Sequence, residues 1–227
     1  MTQKRPDIPP PPWQRVPERP TSRRRDPLTR EAIVTAAIKV LDAEGLDRFS
    51  MRRVAEELDT GAASLYWHVG SKDGLLDLVF DEVIGEQEIP DPEPERWQEQ
   101  IKEVARTMRR TILRHRDIVQ ISIGRIPMGP NALRFSERVL AILRAGGVPD
   151  RLAVQGYLLL ISVVNGFTVD EAAELVRGYL ASLPADQFPN LGEAAEHFAE
   201  TDQDARFELL LDLFVNGLAR RASESRG

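Results

Sequence analysis

Residues 49–72 read FSMRRVAEELDTGAASLYWHVGSK, and the rest of the architecture is built around them. Ser50 is placed to cap a short helix in which Met51, Val54, Ala55 and Leu58 share one face and Arg52, Arg53, Glu56 and Glu57 the other. Asp59, Thr60 and Gly61 interrupt that pattern, and a second helical segment covers 62–68. Two helices this short across a turn of roughly three or four residues predict a helix-turn-helix, whose second helix enters the major groove of DNA. The content of the second segment points the same way. Ser64, Tyr66, Trp67 and His68 put a hydroxyl, a phenol, an indole and an imidazole on a segment too short for all of them to face a core.

Upstream, Ile33, Val34, Ala37, Ile38, Val40 and Leu41 follow a helical face, with Thr29 as N-cap and Gly45 as the stop. Downstream, a helix starting at Ser71 carries Leu75, Leu76, Val79, Val83 and Ile84 on its buried stripe, and Pro90, Pro92 and Pro94 close it. A domain over 28–89 and a seam near residue 90 are therefore expected. Before it, residues 1–27 hold eight of the sixteen prolines and little apolar periodicity, the composition of a disordered arm. Arg23, Arg24 and Arg25 stand directly before the first helix, either as a basic arm reaching phosphates or a minor groove or as a solvated linker charge run.

Residues 90–227 read as helical throughout: about 95–114, a short piece near 117–122, about 130–145, a long helix from Pro149 towards 183, and a last one over about 202–221. Residues 186–200, poor in apolar side chains, fit either a short helix or a loop. The last helix carries a stripe of Phe207, Leu210, Leu211, Phe214, Val215 and Leu218. Residues 152–167 are apolar nearly all round, which a helix tolerates only when covered on more than one side. The fold class is all-α.

Composition bounds the chemistry. With no cysteine, disulfides, thiolate metal sites and a cysteine nucleophile are excluded. No apolar run approaches the roughly 18 residues of a membrane span, and no secretory signal is evident, so a cytoplasmic, nucleoid-associated protein is expected. The net charge of −6 hides an uneven distribution: residues 1–27 hold seven Lys/Arg against three acids, while 28–86 hold six against twelve. His68, His115 and His197 are scattered, and there is no nucleophile elbow, phosphate loop or metal-ligand spacing, so an enzyme is not expected.

The run LYWHV at 65–69, with Lys72 and LLD at 75–77, resembles the DNA-binding segment of the tetracycline-repressor family. LRHRD at 113–117, Gly166 and Phe167 with Glu174 beyond, and FELLLDLFVNGL at 207–218 are similar to the ligand-binding half of the same family. The resemblance implies a homodimer that reads a palindromic operator and is released by a small inducer; the alternative is the same fold without a small-molecule effector. It places Arg52, Ala62, Ser64, Tyr66, Trp67, His68 and Lys72 at the DNA, with the large ring of Trp67 expected to brace the helix while Tyr66 and His68 face the groove. Ala62 stands where the tetracycline repressors carry a base-reading amide, so a different operator is implied.

The same resemblance implies an effector pocket drawing on Met108, Ile112, Ser122, Arg138, Asn165, Phe167 and Glu174. Its lining is apolar with a few polar groups, suited to an apolar or aromatic inducer with an acidic group for Arg138. At the positions of the drug and magnesium ligands the chain has Glu88, Val104, Met108, Ser122 and Arg138, without an imidazole, so neither tetracycline nor magnesium is expected and no cofactor is assigned. A dimer interface is implied over the long eighth and the last helix, at Leu159, Val163, Phe207, Leu211, Phe214 and Leu218.

Overall fold

A computed structural model describes residues 28–167, 183–184, 187–200 and 202–225; Arg23 to Arg25 and Glu174 lie outside them. Every regular element among the described residues is helical. In chain order these are α1 (Arg30–Glu44), α2 (Met51–Glu57), α3 (Ala62–Val69), α4 (Lys72–Gly85), a 3-10 turn (Pro94–Arg96), α5 (Trp97–Arg114), α6 (Ile118–Ser122), α7 (Pro130–Ala145), α8 (Asp150–Phe167), α9 (Pro189–Glu200) and α10 (Gln203–Glu224).

Local chemistry sets most of these boundaries. Thr29, Ser50 and Ser71 have extended backbones, and their hydroxyls accept from the N–H groups of Ala32, Arg53 and Gly74 at 3.1, 3.2 and 2.9 Å, capping α1, α2 and α4. At the end of α7, the N–H of Val148 reaches Leu143 O and that of Gly147, at φ 74°, reaches Arg144 O. Pro149 follows, and its carbonyl accepts from Ala153 at 2.8 Å. Residues 189–200, for which the sequence allowed a loop, are helical.

The chain divides into two packed units. Of the described residues, the first comprises 28–90 together with 110–138. Its core joins Ile33, Ala37 and Leu41 of α1, Val54 of α2, Leu65 of α3 and Leu75 and Val79 of α4 to Ile118 and Ile121 of α6. Secondary structure pauses at the prolines near residue 90, yet packing returns 110–138 to the N-terminal helices. Polar contacts fasten the return: Asp117 Oδ2 accepts from Leu46 N at 2.8 Å and Asp42 Oδ1 from Arg116 N at 3.0 Å. His115 lies with Nδ1 3.1 Å from Asp42 and Nε2 3.0 Å from Glu86. Arg125 donates to Asp73 at 2.9 Å and also to Asp77.

Within this unit, α7 begins on α4. Asp81, 9% exposed, accepts from Ala132 N at 3.0 Å and Asn131 N at 3.3 Å, so a carboxylate from another helix satisfies the first turn of α7. Gly129 makes that approach possible, since a Cβ there would stand 2.1 Å from the Asp81 carboxylate.

The second unit comprises 91–109 and the described residues from 139 onward. Ala153, Gly156, Leu160 and Val164 of α8 and Phe207, Leu211, Val215 and Leu218 of α10 are its buried stripes. A polar ladder joins α5 to α10: Lys102 reaches Asp212, Arg106 grips Glu208 with two bonds of 2.7 and 2.8 Å, and Arg109 reaches Asp204 at 2.5 Å. The bidentate grip holds the Glu208 carboxyl below its ordinary range and raises the Arg106 guanidinium above its own.

Candidate nucleic-acid interface and effector cleft

The turn between α2 and α3 is built by its hydrogen bonds. Thr60 N reaches back to Ala55 O at 2.9 Å and Asp59 N to Glu56 O at 3.2 Å, which puts Asp59 in the left-handed region at φ 48°. Glycine is the usual residue there; the short acidic side chain tolerates the conformation at a cost of about 1–2 kcal/mol or less. Gly61 starts α3 without a side-chain cap, and its carbonyl accepts from Ser64 N at 2.9 Å.

Leu65 and Val69 are buried in the core, which fixes the rotation of α3 and turns the opposite side outward. Tyr66 is 47% exposed and Trp67 51% exposed. The indole thus stands outside the core instead of bracing the helix: Leu65 and Val69 already occupy the inward positions, and Trp67, two residues from each, points to the opposite side of the helix. Ser64, His68 and Ala62 are half-buried, Ala62 packing on the core edge. The His68 carbonyl accepts from Arg30 Nη2 at 3.2 Å.

The cations flanking α3 differ in how they are held. Arg53 is committed to Glu44 at 2.6 Å and to Glu57, and its guanidinium is raised above its ordinary value by the Glu44 hydrogen bond first. Arg52 is highly exposed and, among the described residues, meets Glu56 in an i,i+4 pair of 3.1 Å of the kind that contributes little. Lys72 donates to Phe49 O at 2.8 Å, with its ammonium 5.6 Å from the Phe49 ring centre. An ammonium has three donors, so this bond aims the group and leaves capacity for a phosphate. At the same corner Gly74 allows α4 to start against the end of α3, because a Cβ there would stand 2.5 Å from Val69 O.

The residues expected at an effector divide between the units. Met108 is buried in the second, and Asn165 and Phe167 are half-buried there. The Phe167 ring lies 5.1 Å from that of Phe207, with the Arg109 and Arg206 guanidiniums 5.5 and 5.3 Å above it. Ile112, Ser122 and Arg138 belong to the first unit: Ile112 packs against its core, and the Ser122 hydroxyl donates to Val119 O at 2.6 Å. Arg138 lines an open cleft of about 160 Å³ wholly within that unit. The cleft runs between the end of α4, with Ile84, Gln87 and Ile89, and α7, with Arg134, Phe135 and Arg138. Sequence reading missed Gln87, Arg134 and Phe135; the one available signal was two arginines four apart on one helix with an aromatic between them.

The residues expected at a dimer interface differ in how far their own chain covers them. Leu159 is 56% exposed, and Val163 and Phe214 are half-buried. Phe207, Leu211 and Leu218 are 1%, 0% and 7% exposed, consumed by packing inside their own unit. The apolar stripe of α10 is its inward face, and the apolar side chains left outside are Leu209 and Leu213 on α10 and Val154, Leu158 and Leu159 on α8.

Two family signatures cover the chain. The one described as "Bacterial regulatory proteins, tetR family" matches residues 33–79, and "Tetracyclin repressor-like, C-terminal domain" matches 89–222. An HTH-type transcriptional regulator of Saccharopolyspora erythraea is 41% identical over 126 residues, 56% of this chain and 53% of that protein. The HTH-type transcriptional repressor DrrR1 of Streptomyces coeruleorubidus is 37% identical over 149 residues, 65% of this chain and 55% of that protein, so the chain matches about half the length of these two relatives. Among solved structures, apo ActR of Streptomyces coelicolor superposes with a TM-score of 0.83 at 48% identity, covering 89% of this chain and all of that one. ActR in complex with actinorhodin gives 0.81 at 48% identity over 86% and 99% of the two chains. With a helix-turn-helix in its first unit and both signatures matched, the chain belongs to the tetracycline-repressor family of bacterial regulatory proteins.

Proposed function

We propose that this protein is a ligand-responsive transcriptional repressor of the bacterial cytoplasm that binds a palindromic operator as a homodimer and leaves it when a small organic effector binds. The observation that carries the DNA-binding half is the presentation of α3. One face of that helix is wholly buried, and the other offers Tyr66 and Trp67 beside Arg52 and Lys72. An indole and a phenol on a short helix leave about half their surface in water in the isolated chain; against a groove that surface gives apolar and stacking contact. Ala62, with only a methyl group, reads by contact with thymine methyls and not by a bidentate hydrogen bond.

The effector half rests on likeness to ActR, solved in complex with actinorhodin and with (S)-DNPA. Functionally, residues 28–89 read DNA and 90–227 dimerise, and the effector is received between the end of α4 and α7. The exposed leucines of α8 and α10 supply the dimer contact. The effector favours a dimer whose two α3 helices are too far apart for successive major grooves, about 34–36 Å centre to centre.

The test starts by selecting operators from a random duplex pool with the full chain. The selected sequences are expected to be palindromic, to bind with a steep salt dependence, and to be released by a compound from a small-molecule panel. Selected sites without dyad symmetry overturn the operator reading. Operator binding that no compound relieves favours the same fold working without an effector.

A further inference from the structure

The cleft between α4 and α7 contains a polar atom that the folded chain leaves unsatisfied. Gln87 stands on its wall, and the side-chain carbonyl oxygen Oε1 is buried with no hydrogen-bond partner. Among the described residues no other buried side-chain oxygen or nitrogen is stranded in this way. Desolvating an acceptor without giving it a donor is unfavourable, and such groups are rare in native proteins unless something else supplies the donor. The terminal torsion of glutamine is soft, so a small rotation brings the amide onto whatever fills the cleft.

The facing wall is of a different character. Arg134 and Arg138 stand one turn apart on α7 and both line the cleft. Asn131 accepts from Arg134 and holds that guanidinium at the rim. Two guanidiniums in one half-open cleft suit a planar carboxylate, which arginine can grip bidentately. Ile84, Ile89 and the buried Phe135 complete the lining of a cleft whose accessible surface is more polar than apolar. A volume of about 160 Å³ is the size class that takes a single aromatic ring.

We propose that this cleft binds an aromatic acid bearing a hydroxyl group, the carboxylate on Arg134 and Arg138, the ring against Phe135 and the two isoleucines, and the hydroxyl donating to Gln87 Oε1. The assignment rests on the reading of the chain as ligand-responsive and gives the effector its polar groups. Gln87 is its specificity-determining residue: it selects for a donor, because a ligand without one leaves the oxygen without a hydrogen-bond partner.

The experiment is titration calorimetry on the full chain with benzoate, the three hydroxybenzoate isomers and 3-hydroxybenzyl alcohol, for wild type, Gln87→Met and Arg138→Met. At least one hydroxybenzoate is expected to bind about tenfold more tightly than benzoate, and the alcohol more weakly than either. Gln87→Met is expected to erase the preference for the hydroxyl while keeping benzoate affinity, and Arg138→Met to erase the preference for the acid. Gln87→Met is also expected to raise the ligand-free melting temperature by a few degrees, since it removes the stranded acceptor; a fold defect would lower it. No saturable binding by wild type, equal affinity for benzoate and every isomer, or a hydroxyl preference that survives in Gln87→Met each overturns the proposal. Operator release is measured in parallel. Binding with these preferences on an operator complex that nothing dissociates keeps the site and sinks the ligand-responsive reading. Release by some other compound, equal in wild type and Gln87→Met and without hydroxybenzoate binding, does the reverse.

Discussion

Removing the carboxylate of Asp81 tests how α7 is seated. That carboxylate accepts two backbone N–H groups at the start of α7, one buried (Ala132) and one part-buried (Asn131). Hydrogen bonds to a charged group contribute about 1.5–3 kcal/mol each, and a buried donor left alone bears its full desolvation cost. Water reaches the Asn131 N–H once the side chain is gone but not the Ala132 N–H, so Asp81→Ala is expected to cost about 3 kcal/mol. That corresponds to a fall in melting temperature of about 6–12 °C for a chain of this size. Asp81→Asn keeps an acceptor for Ala132 and is expected to cost about half as much. The sharper test is a cycle with Gly129→Ala. In the wild-type background the new Cβ would sit 2.1 Å from the carboxylate, an overpacking penalty of about 1–3 kcal/mol. In the Asp81→Ala background the obstruction is gone and the same change should be close to neutral, a coupling of about 2 kcal/mol. Urea denaturation followed by circular dichroism measures all four proteins. Additive effects, or an Asp81→Ala protein as stable as wild type, would refute the seating of α7 on this carboxylate.

At the operator, Tyr66→Ala and Trp67→Ala should weaken binding with little change in the salt slope, whereas Lys72→Ala should lower the slope by roughly 0.9 for each phosphate the protein no longer neutralises; fluorescence anisotropy across a salt series separates the two classes. For assembly, Leu213→Glu on the 65% exposed position should leave the fold intact and give a monomer in analytical ultracentrifugation, while Phe207→Ala should cost about 3–5 kcal/mol because that ring is a core residue. A Leu213→Glu protein that stays dimeric at micromolar concentration would misplace the contact. For pH, the Glu208 carboxyl is held low by Arg106, so its contribution is complete above the ordinary carboxylate range and is lost as pH falls through the depressed folded value. Both partners are partly exposed and screened, so Glu208→Gln should flatten the acid limb of the stability curve by under about 1 kcal/mol, seen in denaturation midpoints below the ordinary carboxylate range.

Helix ends were legible because their causes are local. A hydroxyl three residues before a donor, a glycine after the last periodic residue and a proline in a first turn act within a few residues, and Thr29, Ser50, Ser71, Gly147 and Pro149 behave accordingly. The family was legible because LYWHV combines side chains that core packing alone does not bring together. Partnership was not legible. Periodicity says that Phe207, Leu211 and Leu218 are covered, and cannot say whether their own chain or a second copy covers them. Trp67 failed for the opposite reason: its size argues for burial, but two smaller residues had already taken the inward positions of a short helix. Gln87 carries no sequence signal, since a stranded acceptor is defined only by what surrounds it in space.

The return of residues 110–138 to the N-terminal helices has a consequence for synthesis. Ile118 and Ile121 complete the core around α1 and α4, so a nascent chain that has emerged only as far as residue 90 carries a reading head with two of its buried side chains still in the ribosome. At about 5–20 residues per second the missing pieces arrive within seconds, and until then the apolar seat they will fill faces water. A fragment cut at the proline-rich seam is therefore a permanently unfinished version of that nascent state. Expressing the DNA-reading part alone calls for grafting 110–138 back through a linker, not for trimming at the prolines.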